Sequence, residues 1–91
     1  MAEEIRRRVV ISGRVQGVWF RDSLRRRAER SGVAGWACNT AAGTVEAVFE
    51  GPPSMVEQLV AWCSLGPPDA RVDDVEVVEE QPAGLRGFEI R

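Results

Sequence analysis

Along this 91-residue chain the spacing of apolar side chains switches repeatedly between the period of a strand and that of a helix. Val9, Ile11 and Gly13 share one face of a short β-branched run, which predicts a first strand. A glycine-punctuated loop follows, from Gly13 to about Phe20. Asp22 to Ser31 then predicts a helix, with Leu24 and Ala28 on its inner side and Gly32 ending it. Arg25, Arg26, Arg27 and Arg30 crowd the outer face, and Arg25 and Glu29 are spaced as a helical ion pair. Gly35 to Thr40 and Thr44 to Gly51 predict two strands around the turn Ala41-Ala42-Gly43, where Gly43 can take a positive φ.

In the later strand Val45, Ala47 and Phe49 alternate with Glu46, Val48 and Glu50, the pattern of a half-buried strand closed by Pro52-Pro53. Ser54 with Glu57 three residues on has the form of a capping box and opens a second helix. Met55, Leu59, Trp62 and Cys63 form its core stripe, and Gly66-Pro67-Pro68 stops it. Val72 to Glu79 predicts a fourth strand, and the alternation of Phe88 and Ile90 a short last one.

This order, βαββαβ with a terminal strand, is the split βαβ or ferredoxin-like arrangement of the α+β class. It implies an antiparallel sheet with both helices on one face. The first two strands run parallel through a right-handed crossover, with the third between them. Arg21, after the first strand, and Asn39, at the end of the second, then emerge at one edge of the sheet, roughly 10 Å apart at two strand spacings. A chain of this length buries one core, so residues 1–91 are expected to form a single domain, with residues 1–5 as a flexible polar tail.

Composition narrows the chemistry. The chain is 44% hydrophobic and 29% charged, ordinary for a globular protein, and its formal charge of −2 argues against a general nucleic-acid binder. It contains no His, Lys or Tyr. Imidazole bases, Schiff-base chemistry and histidine-ligated metal are excluded together. Every basic side chain is Arg, whose planar fork suits phosphate and carboxylate. Cys38 and Cys63 form no CxxC pair, and no segment resembles a signal peptide or membrane span, so a cytoplasmic protein is expected.

The loop Gly13-Arg14-Val15-Gln16-Gly17-Val18-Trp19-Phe20-Arg21 joins a strand to a helix N-terminus. Successive N–H groups in such a turn form an anion cradle, to which the helix dipole adds partial positive charge. The plainer reading is two turn glycines and a solvated arginine. Neither GxxxxGK[ST] nor GxGxxG is present. The run from Gly13 to Arg21 does, however, resemble the phosphate-binding signature of the acylphosphatase family, GxVQGVxFR. Gly35-Trp36-Ala37-Cys38-Asn39-Thr40, followed by Ala41-Ala42-Gly43-Thr44-Val45, resembles that family's second signature, GWxxNxxxGxV. The two occur in the family's order, and the likeness extends to Phe88-x-Ile90.

The resemblance implies the ferredoxin-like fold and a hydrolase that cleaves the carboxyl–phosphate bond of acyl phosphates. Arg21 matches the phosphate-binding arginine and Asn39 the asparagine that orients water. Val15, Gln16, Gly17, Val18, Trp19 and Phe20 match the loop whose backbone holds the phosphate. Cys38 stands where many members have a basic residue. No metal or other cofactor is implied. The partners expected are the acyl phosphate and inorganic phosphate, as product and inhibitor, with no nucleic acid and no membrane; a monomer is expected. The residue inventory agrees with this chemistry. A carboxylate leaving group, with a conjugate-acid pKa of roughly 4, departs without a general acid. Two alternatives differ in class. One is a non-catalytic domain of acylphosphatase type, against which the presence of both Arg21 and Asn39 speaks. The other is an RNA-binding module of similar topology, which needs aromatics on its central strands where Thr44 to Gly51 offers only Phe49.

Overall fold

The computed structural model describes residues 3–91. Its elements are β1 (Ile5–Arg14), α1 (Phe20–Ser31), β2 (Ala34–Asn39), β3 (Val45–Gly51), α2 (Pro53–Cys63), β4 (Arg71–Glu80) and β5 (Phe88–Ile90). The sheet order is β4-β1-β3-β2-β5. β3 lies between β1 and β2, as the split βαβ arrangement requires. β5 pairs parallel to β2, Gly35 against Phe88 and Ala37 against Ile90, so the sheet is mixed and not wholly antiparallel. Of the expected N-terminal tail, residues 1 and 2 lie outside the described residues, while Ile5 already pairs with Gly51 in β1.

One face of the sheet carries the core. Val9 and Ile11 of β1, Ala37 of β2, and Val45, Ala47 and Phe49 of β3 meet Phe20, Leu24 and Ala28 of α1 and Val56, Leu59 and Cys63 of α2. Each large apolar side chain buried there contributes roughly 1.5–3 kcal/mol. Both helices depart from the sequence reading near their starts. α1 begins at Phe20, two residues before Asp22, because Trp19 turns the chain directly into the helix. Its Asp22 pairs with Arg25 at 2.8 Å and Arg26 at 3.0 Å, so Arg25 looks back toward the helix N-terminus and not forward to Glu29. In α2 the capping box does not form. Pro52 occupies the cap and Pro53 the first helical position, where its fixed φ suits a helix start, so Ser54 is already inside. The Pro52 carbonyl accepts the N–H groups of Met55 and Val56 instead.

β1 ends in an irregularity that aims the following loop. The β1–β4 register shifts between Ser12 and Gly13, and Gly13 takes φ 124°. A side chain there would run into the Arg71 carbonyl oxygen on β4, so the close strand approach requires glycine.

The opposite face of β3 is covered, contrary to the half-buried pattern: Val48 is fully buried and Glu50 only 2% exposed. Arg6 bridges Glu50 (3.2 Å) and Glu80 (2.8 Å), and Arg8 bridges Glu80 (2.7 Å) and Glu46 (2.8 Å). The loop before β5 folds back over this network. Its N–H groups at Ala83, Gly84 and Leu85 donate to the Glu50 carboxylate at 3.0, 2.6 and 3.0 Å. Burial pushes the Glu50 carboxyl up, but these N–H groups and the Arg6 guanidinium outweigh it and hold its pKa below the ordinary value.

A carboxylate with a depressed folded pKa stabilises above its unfolded pKa of about 4.3, and that contribution is lost as pH falls through the folded value. Glu50→Gln is therefore expected to cost about 1–3 kcal/mol at neutral pH, since it weakens bonds to buried donors. The gap from wild type should narrow as acid protonates Glu50. Urea unfolding of both proteins from pH 7 downward checks it, and a gap that stays constant below about pH 4 contradicts it.

Candidate functional site

Two elements supply the site. The loop leaving β1 bends at Gly17 (φ 73°) and again at Trp19 (φ 68°, ψ 24°), both left-handed. Trp19 is the one non-glycine residue with positive φ among the described residues, and 76% of its surface is exposed. A bulky residue in this conformation carries of order 1–3 kcal/mol of strain, a burden typical of ligand-clamping turns. A Cβ at Gly17 would meet no atom within 4 Å, so glycine is needed there for its φ and not for space. Val15, Val18 and Phe20 are buried and anchor the loop, while Gly17 and Trp19 between them are exposed.

α1 starts from this bend with no side chain capping its N-terminus. Its first N–H groups, at Phe20 and the residues after it, have no partner within the helix and carry the positive end of the dipole. Asp22, the acidic residue of the first turn, is neutralised by Arg25 and Arg26. The junction is thus receptive to an anion.

A cavity of about 350 Å³ lies over this junction. Its walls include Gly17, Trp19 and Arg21 on one side, Asn39 on the second and Ile90 of β5 on the third. Arg21 and Asn39, separated in sequence by a helix and a strand, are brought to one cavity. Val15 and Phe20 also line it, whereas Gln16 and Val18 do not. Val18 points into the core. Gln16 has a different part: its Nε2 donates to the Thr40 carbonyl at 2.9 Å and the Thr44 carbonyl at 3.0 Å. It ties the loop to the β2–β3 turn just beyond Asn39, which fixes one wall against the other. Thr40 and Thr44 close that turn with a 2.6 Å hydroxyl contact.

Two contributors escaped the sequence reading. Arg21 Nη1 donates to the backbone carbonyl of Arg91 at 3.3 Å, and Ile90 completes the cavity. Both depend on β5 docking beside β2, which no local motif announces. Cys38 sits on the other sheet face from its neighbour Asn39, opposite Glu46 and away from the cavity. The Cys63 thiol is buried in the core, where desolvation pushes its pKa up to about 12. Among the described residues no group of His, Cys, Asp and Glu is placed to hold a metal ion.

Fold and cavity together define a class: ferredoxin-like α+β proteins whose first strand–helix junction opens an uncapped helix start onto a cavity. Within that class the chain belongs to the acylphosphatase family, whose model, described as Acylphosphatase, matches residues 7–90. It is an enzyme of that family. An acylphosphatase of Rubrobacter xylanophilus is 64% identical over 92% of this chain and 77% of the relative. One of Gloeobacter violaceus is 51% identical over 99% of this chain and 97% of the relative. The solved structure of an acylphosphatase from Coxiella burnetii superposes with a TM-score of 0.92 at 38% identity, covering 97% of this chain and 93% of that one.

Proposed function

We propose that the cavity over the β1–α1 junction is where this enzyme hydrolyses acyl phosphates. Arg21 and the loop amides from Val15 to Phe20 bind the phosphoryl group, and Asn39 places the attacking water. The observation that supports this most is the meeting of Arg21, the uncapped helix N-terminus and Asn39 around one cavity of about 350 Å³. The guanidinium fork takes two phosphoryl oxygens, the junction amides take the third, and the carboxamide holds water on the face opposite the leaving group.

In the reaction a water oxygen forms a bond to phosphorus as the bond from phosphorus to the acyl oxygen breaks. The electron pair of that bond leaves with the carboxylate, and the proton of the water ends on inorganic phosphate. The carboxylate is stable without protonation, so the protein is asked for position and charge, both of which this site can offer without a metal. Inorganic phosphate, which shares the phosphoryl oxygens, competes for the same place.

The substrate class has a direct test. Benzoyl phosphate should be hydrolysed efficiently and an alkyl phosphate monoester negligibly, because an alkoxide needs an acid, and the one carboxyl lining the cavity, Asp22, is engaged by Arg25 and Arg26. Comparable turnover of the two overturns the assignment.

No described helix is long and apolar enough to cross a membrane. Cys38 and Cys63 are both free and lie on opposite faces of the sheet, which supports placement in a reducing cytoplasm. A monomer without nucleic-acid partners completes the proposal.

A further inference from the structure

A second and larger cavity, about 520 Å³, lies away from the proposed catalytic one, between α1 and the segment that leaves α2. Ser23, Arg26, Arg27 and Arg30 form one wall. They occur at helical spacing, so they stand as a single stripe. Across from them are Trp62 at the end of α2, then Leu65 and Pro67 in the connection to β4. Leu65 is 72% exposed, an unusual state for a leucine lining a groove.

The charge on the arginine wall is largely uncompensated. Arg26 shares Asp22 with Arg25, and its side chain is 70% exposed. Among the described residues Arg27 and Arg30 form no ion pair. Arg27 is held with its guanidinium 4.4 Å from the centre of the Trp62 ring, which positions it without neutralising it. Three guanidinium groups beside an apolar wall, in a chain whose net charge is −2, make a strongly local positive field. Phe20 separates this groove from the catalytic cavity: it lines the latter and packs against Trp62, with ring centres 5.5 Å apart.

We propose that this groove is a second anion site, for a phosphate ester or polyphosphate that carries a flat apolar ring. The phosphates lie along Arg26, Arg27 and Arg30, where forked donors match phosphoryl oxygens. The ring lies on Leu65 beside Pro68, whose exposed apolar surface has no other cover in the fold. The groove has the volume of a pocket for a nucleotide-sized molecule.

The probes are ATP and inorganic tripolyphosphate, titrated into the isotope-labelled protein and followed by the indole N–H signals of Trp62 and Trp19. Trp62 reports the groove and Trp19 the catalytic cavity. ATP should shift Trp62 saturably, with tripolyphosphate binding several-fold more weakly because it lacks the ring. Arg26→Gln combined with Arg30→Gln should weaken the Trp62 response at least about tenfold, worth about 1.4 kcal/mol. That pair keeps the Arg27–Trp62 contact, and thermal unfolding confirms the fold. A response confined to Trp19 overturns the site, and equal affinity for the two probes overturns the ring. Concentration-dependent dimers abolished by the same pair, with no ATP response at Trp62, overturn it in favour of a second copy of the chain.

Discussion

Arg21→Ala is expected to lower kcat/KM for benzoyl phosphate by about two to three orders of magnitude, the usual cost of removing one well-placed charge-stabilising donor. The arginine stands at the start of α1 on the cavity wall, and among the described residues its one side-chain hydrogen bond is the 3.3 Å contact to the Arg91 carbonyl. A half-buried side chain with so weak a contact contributes little to folding, within about 0.5 kcal/mol. Thermal unfolding should stay close to wild type while inhibition by inorganic phosphate weakens strongly. Arg21→Lys should recover little, because an ammonium cannot take two phosphoryl oxygens in one plane. Wild-type-like turnover in the lysine variant would sink the two-pronged role.

Asn39→Ala should produce a loss of kcat of similar order with a different signature. Asn39 ends β2 as an exposed residue on the wall across from the loop, and its carboxamide is proposed to address water and not the phosphoryl group. Inhibition by inorganic phosphate should therefore persist at nearly wild-type affinity. Steady-state kinetics with phosphate as competitor separates the two effects. If phosphate affinity collapses together with turnover, the two side chains do not divide the labour as proposed.

Local signals made much of this legible. Gly32 ends α1 in the left-handed conformation its sequence position suggests, and the run from Gly13 to Arg21 carries its bends in its own glycines. Strand order followed from the alternation of elements and the handedness of crossovers. What stayed hidden depends on partners distant in sequence. Glu50 looked like a solvent-facing strand residue, yet N–H groups more than thirty positions later bury and bind it. Gln16 looked like one more loop residue until the β2–β3 turn supplied two carbonyl acceptors. The capping box misled because Pro53 is itself a helix-starting residue, and the proline won over the side-chain cap.

The docking of β5 bears on how the enzyme comes into being. Among the described residues this strand pairs with β2 alone, in the slower parallel manner, and its partner lies far back along the chain. Closing so long a loop is costly in chain entropy, and here three residue pairs repay it, against nine for the β1–β4 pairing across a still longer span, so β5 docks late. Ile90 and the Arg91 carbonyl reach the catalytic wall only when that closure is made. The four inner elements around β1 and β3 can therefore consolidate into a nearly native body whose cavity still lacks a side. Recovery of hydrolysis during refolding thus reports the final closure and not the earlier collapse, and the chain carries its own clock for the end of folding.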